Sequence, residues 1–453
     1  MEKRKFLLFA VLLMAAVTAK AGGLMTNTNY HIAFDRMFAR GATFEIDAAY
    51  SNPAGLAWGH EGWQLSLNFQ KPWQNRDIEA TFPMLKAMYG NDTHKFEGKA
   101  SAPVVPALFA SYKEDRWVVS TMIGIVGSGG FVKYDQGVPM FNVPIAAMLE
   151  ANPLVAVYSI DSEMKGKQYI YGGQLNFTYK LTDKWSAAVG IRANYYDGYY
   201  KGYVGAEQGI KLVNLQLDCP QTGWGFTPVV GLDFHTGPLT LAAKFEFRTK
   251  LSTENDTKEL VVGMMGVDTD VKALSEKIGN EGTVAALAQT ALGAMSGKVK
   301  GYLPHVKTRY DMPSLFTFAV GYEFTPKLRA AAEYHFFDDK NAKMPDDRQD
   351  ALKHGTYEVL LGAEYDINDK FTVSLGGQRT DYGLSDDYQQ DTSFACDSYS
   401  IGLGGAWNIT DKVRLNASYF CSLYSDYKKM SAIGQETFSR TNNVIGIGLD
   451  YKF

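Results

Sequence analysis

The sequence predicts an all-β fold, a transmembrane antiparallel β-barrel of 14 strands with an N-terminal hatch inside the lumen. Three observations predict it. Apolar and polar residues alternate strictly in fourteen segments, the connections between those segments alternate short and long, and aromatic residues gather beside the short connections. Two-residue alternation marks strands with two unlike faces. Bacterial single-chain barrels have an even strand number, and rings at strand ends form an interfacial girdle.

Residues 1–21 are an export signal. Lys3, Arg4 and Lys5 are followed by the apolar run Phe6 to Val17 and the small-x-small cleavage site Ala19-Lys20-Ala21. That run is too short to span a bilayer comfortably. The mature chain is expected to begin at Gly22, and no later stretch reads as a transmembrane helix. Residues 22–61 do not alternate, and form a compact segment sized to sit inside a barrel as its hatch. Residues 62–453 are the barrel with its extracellular loops.

The alternating segments lie near 63–71, 104–113, 116–126, 167–180, 185–204, 223–235, 239–250, 314–324, 328–337, 356–366, 370–380, 398–408, 412–424 and 443–453. The last is the clearest: Ile445, Ile447, Leu449, Tyr451 and Phe453 alternate with Gly446, Gly448, Asp450 and Lys452. Short connections fall near 114–115, 182–184, 236–238, 325–327, 368–369 and 409–411. Long ones lie between them, the largest at 72–103, 127–166 and 251–313. Tyr112, Trp117, Trp185, Phe234, Phe324, Tyr365, Phe371 and Trp407 sit beside the short turns on the apolar register. Short turns and both termini are therefore assigned to the periplasm and long loops to the cell exterior. The loop 251–313 contains two helical patterns, 271–278 and 284–295, suited to a lid.

Composition narrows the function. The chain has 453 residues, with 45 Lys and Arg against 49 Asp and Glu, a formal net charge of −4. This balance argues against a nucleic-acid partner. Phe, Trp and Tyr number 26, 7 and 27 beside 44 Gly, which favours strands and tight turns over helices. The seven His show no metal-ligand spacing and no His-x-Ser pairing, and there is no nucleophile elbow. Asp268-Thr269-Asp270 lacks the Gly and closing Glu of a calcium loop. Neither an enzyme, a cofactor nor a metal is called for. The three Cys cannot all pair, and Cys396 and Cys421 extrapolate to opposite faces of adjacent strands, so they are expected to stay as thiols.

The hatch carries Asp47-Ala48-Ala49-Tyr50 followed by Ser51-Asn52-Pro53-Ala54-Gly55-Leu56, and Gly223-Trp224-Gly225-Phe226 opens the sixth strand. With Asp47, Asn52, Pro53 and Ala54 in this setting, the chain resembles the FadL/TodX family of outer-membrane transporters for long-chain fatty acids and other hydrophobic compounds. The resemblance implies a hydrophobic small-molecule ligand that enters an outer groove, reaches an inner pocket and leaves sideways through a gap at a kinked third strand. It implies location in the outer membrane, contact with its lipid, and no cofactor; a monomer is expected. Phe453 gives barrel-assembly machinery the terminal aromatic it commonly reads. The alternative is a non-transporting barrel that serves as a binding or shuttle component of a secretion machine.

Gly124, Gly127, Gly129 and Gly130 crowd the outer end of the third strand, where glycine weakens pairing and permits bulges. They mark either a lateral opening or the start of a loop. The inward register of the first three strands is expected to be unusually apolar, with Phe109 on the second and Val118, Met122 and Val126 on the third. These side chains either touch a hydrophobic ligand or pack the hatch. Arg248 and Arg329 are the candidates for an unpaired lumen cation that would meet a carboxylate.

Overall fold

A computed structural model describes residues 29–102, 104–150, 159–208, 210–264, 266–278 and 301–453. The export signal and the 284–295 helical pattern lie outside the described residues. The barrel strands are β1 (Gly62–Thr81), β2 (Val105–Glu114), β3 (Trp117–Tyr134), β4 (Ser159–Lys180), β5 (Trp185–Gln208), β6 (Ile210–Thr236) and β7 (Leu239–Glu246), followed by β8 (Leu315–Thr325), β9 (Leu328–Phe337), β10 (Tyr357–Asp366), β11 (Phe371–Asp381), β12 (Ser398–Asn408), β13 (Val413–Tyr424) and β14 (Gly434–Lys452). Each pairs antiparallel with the next. Closure comes from β1 against β14, in register from Gln64↔Lys452 to Thr81↔Gln435. A closed ladder of this kind satisfies the strand backbone within lipid.

The wall is inside-out relative to a soluble protein. On β1, Leu65, Leu67 and Phe69 are exposed while Gln64, Ser66, Asn68 and Gln70 are buried. The same inversion holds on β4, where Leu175 and Phe177 point out and Gln174 and Asn176 point in. Rings pair at the short-turn end, Trp63 with Tyr112 at 4.9 Å and Trp185 with Phe234 at 4.8 Å between centroids. They form the girdle that the apolar register implies. Among the described residues no helix is long and apolar enough to cross a membrane.

Strand length divides the barrel. β7 to β13 have 8 to 12 residues, close to one crossing of the hydrocarbon. β4, β5 and β6 have 22, 24 and 27 and rise well beyond it. This corrects one expectation. The connection near 205–222 is not a long loop but the continued β5–β6 hairpin, paired up to Gln208↔Ile210. The loop after β7 then builds onto that tall hairpin. Ser252–Asn255 and Glu259–Met264 pair with β6, and Val271–Ile278 is a helix. Leu260, Val262, Tyr302 and Leu303 of this loop join Phe82, Val138 and Phe394 in one buried apolar cluster at the long-loop end of the barrel. Cys219, Cys396 and Cys421 are all thiols.

Candidate functional site

The N-terminal segment packs against the inward face of the wall at the short-turn end of the barrel. Helix α1 (Ile32–Met37) is buried throughout. Its first turn is fixed by His31, whose Nδ1 accepts the Ala33 N–H at 3.1 Å and whose Nε2 lies 3.0 Å from Ser66 Oγ on β1. Inward glycines let this backbone lie against the wall. A Cβ at Gly362, Gly376 or Gly402 would fall 2.0 to 2.2 Å from the carbonyl oxygens of Met37 or Asp35.

Ion pairs pin the segment to β9–β13. Arg36 donates to Glu364 and Ser374. Arg40 forks onto Asp47, Nε to Oδ2 and Nη2 to Oδ1, both at 2.8 Å. The backbone N–H groups of Arg40 and Gly41 both donate to Glu333 Oε2 at 2.7 Å. Glu45 takes Arg414 as well as Arg40. Burial pushes the Glu45 carboxyl up, but Arg414 and Arg40 outweigh it and hold it well below its ordinary value.

The Asn-Pro-Ala element anchors the other end. Helix α2 (Ala48–Ser51) leads into a 3₁₀ turn over Pro53–Trp58. Asn52 Nδ2 donates to Leu232 O at 3.3 Å. Thr178 Oγ1 donates to Pro53 O at 2.8 Å and Ser186 Oγ to Ala54 O at 2.7 Å. β4, β5 and β6 thus each hold one residue of the motif. Asp47 acts at a distance, through the Arg40 fork.

On the side of β2 and β3 the contact is apolar. Phe109, Val118, Met122 and Val126 are fully buried and cluster with Ala48, Ala49, Tyr50 and Leu56. The His31 ring meets Phe109 edge-on at 5.2 Å. Directly above them the wall is interrupted. β2 pairs with β3 only up to Leu108↔Ile123. The next β3 partners on this side are Gly98 to Ala100, opposite Tyr134 to Val132. Against β4 the same stretch carries two register shifts, at Ile125/Gly127 and Ser128/Gly130. Gly130 has φ +73°, a backbone state that glycine adopts without strain. All four glycines, Gly124, Gly127, Gly129 and Gly130, lie within this irregular stretch.

Neither candidate cation is unpaired. Arg329 is inward, but it donates to Glu364 and to Asp366 at 2.8 Å each. Arg248 is not in the lumen register. β7 ends at Glu246, Phe247 and Arg248 are both exposed, and the buried position passes to Thr249. This slip of one residue turns Arg248 outward, to the carbonyl of Asn341 and to Asp311 at 3.8 Å. Glu364 is the residue that the sequence reading missed. It receives Arg36, Arg40 and Arg329 together. Its inward register was readable, but two of its partners, Arg36 and Arg40, lie more than 300 positions away. Among the described residues no group of three His, Cys, Asp or Glu is placed to hold a metal.

Residues 282–453 match the family described as outer membrane protein beta-barrel domain. Across 95% of this chain and 100% of its own, the crystal structure of a Pseudomonas aeruginosa FadL homologue superposes with a TM-score of 0.69 at 13% identity. The chain has the FadL-type fold, a closed antiparallel β-barrel of 14 strands. The Pseudomonas putida toluene transporter TodX shares that fold with a TM-score of 0.61 at 13% identity, covering 96% of this chain and 99% of its own. The CymD monoaromatic hydrocarbon channel does so at 0.57 and 11%, covering 97% and 99%. No curated protein matches the chain by sequence.

Proposed function

We propose that this barrel carries hydrophobic molecules, long-chain fatty acids or compounds like them, passively through the outer membrane, past the hatch and out sideways through the wall at β3. The observation that carries the reading is the interruption between β2 and β3, set above the apolar wall of Phe109, Val118, Met122 and Val126. Open ladder at membrane depth is tolerated where it lines a passage or is covered by protein. β3 begins at the periplasmic end, so the stretch from Gly124 onward lies in the outer half of a crossing about 9–11 residues long. An apolar solute leaving there enters lipid directly and never has to cross the polar, hatch-filled lumen below. Solved barrels of this fold are named a toluene transporter and a monoaromatic hydrocarbon channel, which supports the same class of cargo here.

The test is a bulky side chain at the foot of the interruption. A Cβ at Gly124 meets first the flexible end of Met122, at 2.9 Å, so the strand can accept one. Gly124→Phe in proteoliposomes should lower uptake of a hydrophobic solute about tenfold while the barrel stays folded and heat-modifiable. Unchanged uptake would remove the lateral route.

A further inference from the structure

Four lysines stand in one line across the outward face of the tall wall. Lys99, in the short strand Gly98–Ser101, is opposite Lys133 on β3. Lys133 is opposite Lys165 on β4, and Lys165 is opposite Lys201 on β5. Like charges directly opposite on one sheet face repel, so a sheet arranged for stability alone would alternate their sign. Here the acids lie along the strands instead. Lys133 meets Asp135 on its own strand, and Glu163 takes Lys165 at 2.5 Å and Lys133 at 2.9 Å. Both acids stand further from the short-turn end than the lysines do. By contrast β7 to β13 contain a single lysine, Lys244, which is buried.

The height of the line decides what it faces. Leu175, Phe177, Val189 and Ile191 lie exposed on the same outward register. Beyond them Tyr169, Tyr171, Tyr195 and Trp224 make a second band of rings, with Tyr195 and Trp224 4.7 Å apart. Such rings mark the edge of the hydrocarbon. Lys167 and Lys165 follow Tyr169 on β4, roughly 7 and 13 Å further along the strand. Past the lysines a cavity of about 400 Å³ opens on this face, lined by Asp161, Lys201, Tyr203, Asn214, Gln216 and Glu259. Its floor is open at Gly205, where a Cβ would touch only the Asp161 carbonyl oxygen, at 3.9 Å.

We propose that this outward face seats a phosphorylated glycolipid of the outer leaflet, its phosphates on the lysine line and its saccharide in the cavity. The bands on the wall follow the order of groups in such a molecule. Acyl chains lie against the apolar register, phosphates on the first sugars lie just outside the rings, and further sugars lie beyond. Lysine takes phosphate as a point charge with three donors, so an Nζ that holds one carboxylate keeps N–H groups for a phosphate oxygen. Basic residues at that height attract anionic head groups, and the exposed ion pairs that they exchange add little to stability. The Tyr203 ring, 40% exposed, and the Gln216 amide directly opposite it suit the apolar faces and hydroxyls of a sugar. The inference rests on the outer-membrane placement in the reading above and is independent of its uptake route.

The test uses the purified full chain in nonionic detergent and measures retained lipid by native mass spectrometry. The probes are diphosphoryl lipid A, the same lipid without its phosphates, and phosphatidylglycerol. Diphosphoryl lipid A should bind about tenfold tighter than either of the others and should resist millimolar inorganic phosphate. Lys133→Gln with Lys165→Gln should weaken it about tenfold at an unchanged melting temperature. Lys340→Gln with Lys428→Gln removes the same charge from exposed positions off the line and should leave the affinity as it was. Tyr203→Ala should weaken lipopolysaccharide that carries core sugars and leave lipid A alone. The inference is overturned if lipid A binds alike with and without phosphate, which would mark apolar contact only. It is also overturned if phosphatidylglycerol or inorganic phosphate displaces lipid A, or if the two double variants weaken it equally, which would mark net charge only. A Lys133/Lys165 double variant that melts lower and loses every probe alike would mark a structural network and overturn it too. Unchanged binding of the core-bearing lipid by Tyr203→Ala would strike out the saccharide seat. Hydrophobic uptake by the Lys133/Lys165 variant in liposomes should equal the parent's, so loss of the lipid seat leaves the uptake reading standing.

Discussion

The two sides of the lumen grip the same N-terminal segment by different physics. On β9–β13 the contacts are charged and directional: Glu364 with Arg36, Arg40 and Arg329, and Glu333 with two backbone N–H groups. On β2 and β3 they are apolar and non-directional: Phe109, Val118, Met122 and Val126 against Ala48 to Leu56. Buried ion pairs fix a geometry and lose much when one partner is removed. Apolar packing is graded with area, and it can receive an apolar guest. The ladder is interrupted on the apolar side, where a guest can be received. The polar wall holds the N-terminal segment in one geometry, and the apolar wall is the one to which the proposed function assigns the cargo.

The largest expected effect comes from removing what the two walls share. Deleting residues 22–58 should raise single-channel conductance in planar bilayers by more than tenfold, because the periplasmic half of the lumen empties. An unchanged conductance would mean that the segment does not seal the pore. Next, Glu364→Ala leaves three guanidiniums without their common carboxylate. Loss of one partner from a buried pair costs about 3–5 kcal/mol, so the melting temperature should drop and conductance should flicker upward while hydrophobic uptake persists. Equal loss of uptake and of closure would erase the distinction between the walls.

A smaller effect should follow from acid. Glu45 is held well below its ordinary value of 4.5 by Arg414 and Arg40. A carboxyl depressed on folding contributes stability that is complete above its ordinary value and is lost as pH falls through the lowered one. Conductance should therefore be flat from pH 7 to 5 and rise below about pH 4. Glu45→Gln should show the raised conductance already at pH 7. A rise centred near pH 6 would point to another group.

Much of this was legible because period-two alternation is local. Each strand shows its own facing, and facing alone placed Val118 inward and Cys421 outward. Legibility failed where the lipid face ended. Within the β5–β6 hairpin the alternation is broken, by a register shift at Ala206/Glu207 and by the adjacent buried pair Leu212 and Val213, so residues 205–222 read as loop although they stay paired. It failed again at Arg248, because one extra residue after Glu246 reverses every later side chain. The glycines of β3 could be read as irregular, but not how far β2 would follow them.

In the proposed function cargo leaves through the β3 wall and not down the lumen. The direct measurement compares hydrophobic uptake and ion conductance on the same proteoliposomes for Gly127→Val with Gly129→Val, a double change that favours regular strand pairing. Uptake should fall about tenfold while conductance and melting temperature hold. Full uptake in the double variant, or uptake and conductance falling in proportion, would contradict it.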